Sequence, residues 1–194
     1  MKYLFGMFLI TLLASCGGSA TKAPTATPSN LTGFMSEKIN GSNAELATKK
    51  DGAGLILEKG IVRDEKKDGI FMTYHNNGRI KTIGSYVNDQ LNGVYLELSE
   101  REQVESKTNY LNGTLHGPHA TYKFGRATLE LTYQNGLQEG PFTEYSDRGK
   151  VSKSGNFKAG QLDGTMKFFD DEENLTMEFE YKNGEKVSGG IIEK

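Results

Sequence analysis

The segment GIFMTYHNNGRIKTIGSYVNDQLN, residues 69–92, is the first clear copy of a unit that recurs along the chain. Its heading glycine, Gly69, returns at Gly93, Gly117, Gly140 and Gly164, so the spacing is 24, 24, 23 and 24 residues. The last copy, GTMKFFDDEENLTMEFEYKNGEKV, occupies residues 164–187. Self-similarity at such a period is typical of a repeat array, in which neighbouring units bury an apolar face that no unit buries alone.

Large apolar side chains fill two fixed columns of these units. Five residues after the heading glycine stand Tyr74, Leu98, Tyr122, Tyr145 and Phe169. Seventeen residues after it, or sixteen in the short third unit, stand Tyr86, Tyr110, Tyr133, Phe157 and Tyr181. Apolar and polar residues alternate with period two before the second column, which predicts a strand with one buried face.

The turn residues predict how these strands connect. Asn-Gly pairs join consecutive units at residues 112–113, 135–136 and 183–184, and Ala-Gly does so at 159–160. Asn-Gly between alternating strands is a strong hairpin signal, because both residues tolerate positive φ. We therefore predict an all-β fold, an elongated antiparallel β-meander of about ten strands. The repeat domain would span residues 45–194, with a degenerate unit starting near residue 45 before the five clear ones.

The N-terminal residues differ in character from the repeats. Lys2, the apolar run 4–13 and the sequence Leu-Ala-Ser-Cys at 13–16 form a secretory signal peptide of residues 1–15 that resembles a bacterial lipobox. The run is shorter than the ~20 residues that a membrane-spanning helix needs. Cys16, the only cysteine, is then the expected acylated residue. Residues 16–44, rich in Gly, Ser, Thr and Pro, are expected to form a flexible linker.

Net charge argues against a nucleic-acid partner. Without Lys2 the 23 basic residues become 22, against 25 acidic ones, which gives a charge of −3. Nucleic-acid binders usually carry a clustered basic patch, and no such cluster is visible in the sequence. The expected membrane contact is therefore made by N-terminal acyl chains, and Gly17 after Cys16 favours the outer membrane, facing the periplasm, within the cell envelope.

The repeat motif resembles the MORN-repeat-variant family. The similarity is clearest in YLNGTLHGPHATY (110–122) and YQNGLQEGPFTEYSDRGKV (133–151), and it extends over about 69–187. The resemblance implies a scaffold for protein contact or membrane association, or an antitoxin-like protein of the YwqK type. Two departures stand out, since Glu102 and Glu173 replace the turn glycine of the second and fifth units.

Few residues suggest catalysis or metal binding. His116 and His119 have an H-x-x-H spacing, but the set of metal ligands around them is short. The resemblance assigns the first to a structural turn and the second to an aromatic position. The acidic run 170–173 lies inside a turn and lacks the alternating oxygen ligands of a calcium loop. We expect no catalytic residue, no metal and no cofactor, and a protein that is not an enzyme.

The sequence leaves three functional hypotheses. The first is a lipid-anchored binding scaffold for an unknown protein or envelope polymer, with Phe71, Tyr95 and Phe142 as exposed contact residues, because they alternate away from the first column. The second is an antitoxin or immunity protein. The third is an envelope hydrolase that would use the acids at 170–173.

Overall fold

The computed structural model describes residues 31–192, and these residues form one antiparallel meander without helices. Fourteen of its strands follow one another in sequence order across the sheet, and two short strands, β10 and β13, pair beside β9 and β12. The predicted fold class is confirmed. The strands are β1 Phe34–Lys38, β2 Ala44–Lys50, β3 Ile56–Arg63, β4 Lys66–Tyr74, β5 Ile80–Val87, β6 Gln90–Leu98, β7 Val104–Leu111, β8 Thr114–Lys123, β9 Arg126–Gln134, β10 Leu137–Gln138, β11 Gly140–Tyr145, β12 Val151–Lys158, β13 Gln161–Leu162, β14 Gly164–Phe169, β15 Leu175–Lys182 and β16 Glu185–Ile191.

Each clear repeat is one hairpin, and its register places the two halves of the unit side by side. The heading glycine pairs with the second-column aromatic in every unit, as in Gly69 with Tyr86 and Gly164 with Tyr181. A shift in register follows near the hairpin turn, for example between Thr73 and Tyr74. This bulge changes which residues pair across the two strands but not the alternation of side chains along one strand. The heading glycine shares a face with its partner, the second-column aromatic. The first column, an odd number of residues after the glycine, therefore lies on the opposite face.

One face of the sheet carries the core and is called here the aromatic face. Its buried residues form a long cluster through the clear repeats and a smaller one at the N-terminal end around Ala47, Val62 and Phe71. Val62 takes the place of the second-column aromatic in the degenerate first unit and is buried. The long cluster consists of Leu91, Tyr110, Leu115, Leu131, Tyr133, Phe142 and Met166.

Glycines make room for the rings on this face. A Cβ placed on Gly60 would lie 2.3 Å from Phe71 Cδ2, and one on Gly155 would lie 2.6 Å from Phe142 Cε1. Real Cβ atoms do not approach ring carbons so closely, so the ring occupies the space that a side chain would need. A single-layer sheet thereby buries large aromatic residues without a second layer.

Part of the predicted linker is folded. Residues 34–38 form β1, which pairs with β2 from Phe34 with Lys49 to Lys38 with Glu45. The expectation of a flexible linker through residue 44 is therefore wrong for this strand. The reason is the Phe34 ring, which packs edge-on against Phe71 with ring centroids 6.3 Å apart. The predicted signal peptide, residues 1–15, and the predicted acylation site Cys16 lie outside the described residues.

Inter-repeat turns are held by a bond pattern that recurs along one edge of the sheet. The turn glycine donates its N–H to a carbonyl of the preceding unit, as Gly113 does to Leu91 at 2.7 Å and Gly184 to Leu162 at 2.8 Å. The residue before a heading glycine also accepts the N–H of the next turn, as Glu139 Oε2 does from Ala159 at 2.7 Å. These side-chain bonds, called clasps here, link successive repeats.

Candidate binding surface

The residues predicted to contact a partner lie mainly in the core. Phe71 and Phe142 are only 3 % and 4 % exposed, and Tyr95 is half-buried. The expectation that these three side chains are exposed is wrong. They do alternate away from the first column, but the register turns them toward the second column on the neighbouring strand. The ring centroids of Phe71 and Tyr86 are 5.9 Å apart, and those of Phe142 and Phe157 are 4.9 Å apart.

The second-column aromatics are core residues, as the alternation predicted. Tyr110 and Tyr133 are buried, and Tyr86, Phe157 and Tyr181 pack against the same cluster. Burial raises the pKa of both Tyr86 and Tyr110 to about 12, because desolvation disfavours the phenolate. The aromatic face is thus occupied mainly by the protein's own packing.

Polar side chains on the aromatic face form hydrogen bonds with one another near the hairpin turns within the units. Thr73 Oγ1 and Thr82 Oγ1 are 2.7 Å apart. Ser106 Oγ donates to Glu97 Oε2 at 2.7 Å, where Ser106 is buried. These groups satisfy each other's hydrogen-bonding capacity, so they act as part of the sheet's own packing.

The three histidines also have structural contacts. His119 occupies the aromatic position next to Tyr133, with ring centroids 5.9 Å apart, and Thr108 Oγ1 lies 2.9 Å from its Nδ1. Burial lowers the pKa of His119. His116 Nδ1 accepts the N–H of Asn135 at 3.5 Å as one of the clasps. His75 lies in a hairpin turn, and its Nε2 is 2.8 Å from the Leu98 carbonyl oxygen in the next unit.

The acids at 170–173 are engaged in turn structure. Asp170 Oδ1 accepts the backbone N–H groups of Glu172 and Asn174 at 3.0 and 2.8 Å. Asp171 forms an exposed ion pair with Arg148 at 2.9 Å.

Within residues 31–192 no three His, Cys, Asp or Glu side chains are grouped as metal ligands would be. The same part of the chain contains no helix with the length and apolarity needed to cross a bilayer.

The face opposite to the core carries an exposed apolar surface at its N-terminal half. Ile70 is 48 % exposed and Val94 40 % exposed. Pairing of Met72 with Ile83, and of Ile83 with Leu96, makes the surface continuous across three strands. We call this surface the aliphatic patch; its residues are Leu46, Ile61, Ile70, Met72, Ile83, Val94 and Leu96.

The same face becomes polar in the later units. Glu130 Oε2 accepts a hydrogen bond of 2.7 Å from the Tyr145 hydroxyl, and Thr165 Oγ1 donates to Glu180 at 2.9 Å. Lys167 and Glu178 form an ion pair at 3.8 Å. The positions of Thr165 and Lys167 are apolar in the first two units, where Ile70, Val94, Met72 and Leu96 stand, and polar or charged in the last. Hydrophobic residues grouped on a solvated sheet face are typical of an interaction site.

The sequence contains a signal for the aliphatic patch, but the two columns of large apolar residues do not reveal it. One residue after the heading glycine the chain reads Ile70, Val94, Pro118, Pro141 and Thr165. Three residues after it the chain reads Met72, Leu96, Ala120, Thr143 and Lys167. Both columns lose apolar character along the array, whereas the core columns keep theirs. Differences between units, rather than their shared features, mark the patch.

Comparison with solved structures gives only distant similarity. TarM is 9% identical over 77% of this chain and 21% of its own, with a TM-score of 0.26. The GtfA/B complex is 16% identical over 56% of this chain and 20% of its own, with a TM-score of 0.28. The chain spans about a fifth of the length of these proteins. TM-scores this low do not indicate a shared overall fold.

Comparison with protein families gives a match to part of the repeat array. No curated protein is significantly similar to the chain. One matched segment covers most of the first clear unit and the turn before it. The other covers the corresponding part of the last unit. Residues 67–88 and 162–183 both match the family model described as MORN repeat variant, so the hairpin array contains at least two repeats of that kind.

Proposed function

We propose that this chain is a non-enzymatic, lipid-anchored repeat protein that serves as a protein-binding scaffold in the bacterial cell envelope. The MORN repeat matches indicate a repeat protein that binds other molecules. Support for a protein partner comes from the aliphatic patch, where Ile70 and Val94 are exposed to solvent on the sheet face opposite to the core. Burial of such side chains in a partner's surface stabilises a complex by roughly 25 cal/mol per Å² of apolar area removed from water.

The aliphatic patch is the observation that carries this proposal. An internal packing role would require another layer of the chain to cover it, and residues 31–192 place no strand over this face. A nucleic-acid or headgroup partner would favour basic residues, whereas this patch consists of aliphatic side chains. A protein with an apolar surface matches it better than a charged polymer does.

The anchor and the location rest on the sequence. The lipobox-like residues 13–16 and the small, polar residues that follow support attachment by acyl chains at Cys16. Gly17 supports the outer membrane, facing the periplasm. A Cys16→Ser variant should lose incorporation of labelled fatty acid and leave the membrane fraction. Unchanged labelling of this variant would contradict the anchor.

Crosslinking in cells tests the binding surface. The full chain with Ile70→Ser and Val94→Ser should capture its crosslinked partner at least about tenfold less than the unaltered chain, because two apolar contacts are lost. The matched control carries Thr165→Ser and Lys167→Ser on the same face of the fifth unit. Equal capture by the patch variant and the control variant would refute this assignment.

The alternative is an antitoxin or immunity protein, which the family resemblance supports. This alternative predicts that deletion of the gene alone is lethal while a neighbouring toxin gene is intact, and harmless once that toxin gene is also removed. Viability of the single deletion would exclude it. An immunity role outside the cytoplasm would be compatible with the lipid anchor.

A further inference from the structure

Asparagine followed by glycine is a turn signal in this chain and is also a chemically labile pair. In such a pair the glycine nitrogen, after losing its proton to solvent base, can attack the asparagine side-chain carbon Cγ. A new N–C bond forms, the side-chain nitrogen takes up a proton and leaves as ammonia, and a five-membered succinimide remains. Glycine favours this ring because it has no Cβ to obstruct the approach. The pair occurs six times, at 40–41, 77–78, 92–93, 112–113, 135–136 and 183–184.

The turns between units hold three of these pairs in place. Gly113, Gly136 and Gly184 each donate their N–H to a carbonyl oxygen of the preceding unit, at 2.7, 2.8 and 2.8 Å. Each turn contains only two residues, as between the end of β7 at Leu111 and the start of β8 at Thr114. Attack by one of these nitrogens therefore requires its hydrogen bond to break and the paired strands around it to loosen.

Two further pairs are held by the asparagine side chain. Asn77 is bonded through both atoms of its amide, since Oδ1 accepts the Arg79 N–H at 3.0 Å and Nδ2 donates to the Glu100 carbonyl at 3.3 Å. Asn92 Oδ1 accepts the Asn112 N–H at 3.3 Å as one of the clasps. These bonds fix the orientation of each side chain, so its Cγ must be released before the glycine nitrogen can attack it.

Asn40 lacks both kinds of restraint. It lies in the loop between β1 and β2, where Asn40 and Gly41 are both exposed. Within the described part of the chain, neither the Asn40 side chain nor the Gly41 N–H has a hydrogen-bond partner. A Cβ placed on Gly41 would meet no atom within 4 Å, so the space around the pair is open. The turn is closed by the Ser42 N–H, which donates to the Ile39 carbonyl at 3.1 Å and leaves the reacting atoms free.

We propose that Asn40 is the deamidation site of this chain, and that sheet pairing protects the other five Asn-Gly pairs. Water opens the succinimide at either of its carbonyl carbons, and the products are aspartate and isoaspartate. Isoaspartate adds a methylene to the main chain, and both products carry a new negative charge. The change falls beside the last pair of β1 with β2, Lys38 with Glu45. The proposal is independent of the aliphatic patch and of the lipid anchor.

Mass spectrometry of the purified full chain, aged in detergent at mildly alkaline pH, tests this proposal. Deamidation raises the mass of a peptide because OH replaces NH2, and fragmentation assigns the gain to one residue. Asn40 should deamidate at least about tenfold faster than each of the other five asparagines, because their reaction needs local opening of the sheet. Deamidation of any of these five at the rate of Asn40 or faster would overturn the proposal.

A denatured sample and a matched variant separate the effect of the fold from that of the sequence. In urea all six pairs should deamidate at similar rates, and an equally large lead of Asn40 there would contradict protection by the sheet. Asn40→Gln should abolish the early mass gain in its peptide. Asn43→Gln, in the same loop but before alanine, is the control and should leave the gain unchanged. An early gain that persists in the Asn40→Gln chain would overturn the proposal.

Discussion

Individual residues show where the repeats depart from their own consensus. The first and fourth hairpin turns end in Gly78 and Gly149, with φ values of 82° and 81°. The second and fifth units have Glu102 and Glu173 at this place, and these adopt φ values of 61° and 65°. The turn geometry is therefore kept although the residue is unfavourable, because the flanking strands fix the hairpin.

Replacing these glutamates should stabilise the protein. Glu102→Gly and Glu173→Gly should each raise the free energy of unfolding by about 1 kcal/mol, because glycine removes the steric cost of the left-handed conformation. Urea denaturation of each variant measures this change. Glu172→Gly, whose position has no positive φ, is the control and should not be stabilised. A loss of stability in both glutamate variants would contradict the turn geometry.

Buried tyrosines should make stability fall at high pH. The pKa values of Tyr86 and Tyr110 are raised to about 12 from the ordinary value of 10.0. Because the folded pKa is the higher one, the stabilising contribution is complete below pH 10 and is lost as the pH rises toward 12. Denaturation at a series of alkaline pH values should show this loss, and a Tyr86→Phe, Tyr110→Phe chain should show less of it. Equal pH dependence in the two chains would refute the prediction.

At the scale of elements, the hairpins depend on links between successive units. The clasps bring together residues about twenty positions apart, such as Asn92 Oδ1 with the Asn112 N–H at 3.3 Å and Asp163 Oδ2 with the Asn183 N–H at 3.4 Å. The hairpin turns of adjacent units are also linked, since Arg79 donates to the Glu100 carbonyl at 3.2 Å. These links fix the position of each hairpin relative to the preceding hairpin.

The shortest side-chain clasp offers a test at this scale. Glu139→Ala should lower the free energy of unfolding by about 1 kcal/mol, because it removes a charge-assisted bond to the Ala159 N–H. Glu139→Gln keeps an acceptor and should lose less. Chemical denaturation of both variants gives the two values. If alanine and glutamine at residue 139 were equally stable, the clasp would contribute nothing measurable.

At the scale of the whole molecule, the sheet is a one-dimensional stack. Every described strand on the main path pairs with the main-path strands next to it in sequence, and β9 and β12 also pair with the short strands β10 and β13. Stability of such an array is approximately a sum over units and their interfaces. Removal of one whole unit therefore preserves the pairing direction and the face of every remaining strand.

Deletion of residues 140–163 tests this modularity. The shortened chain should keep its β-sheet circular dichroism spectrum, and its denaturant m-value should fall by roughly one seventh, in proportion to the chain removed. Deletion of residues 140–151, half of the unit, should instead disrupt the sheet, because it joins strands that run in the wrong direction. A folded half-unit deletion with an unchanged spectrum would contradict the repeat architecture.

The sequence by itself determined the period, the hairpins, the turns and the second-column core residues, because these follow from local alternation and turn chemistry. Only the tertiary structure decided which residues are exposed. Phe71 and Phe142 were placed correctly by alternation on the face opposite to the first column, yet pairing with the next strand buries that face. The folding of β1 and the exposure of Ile70 and Val94 depend likewise on register and bulges between strands. Alternation fixes the relative faces within one strand, whereas burial depends on which face its neighbours cover.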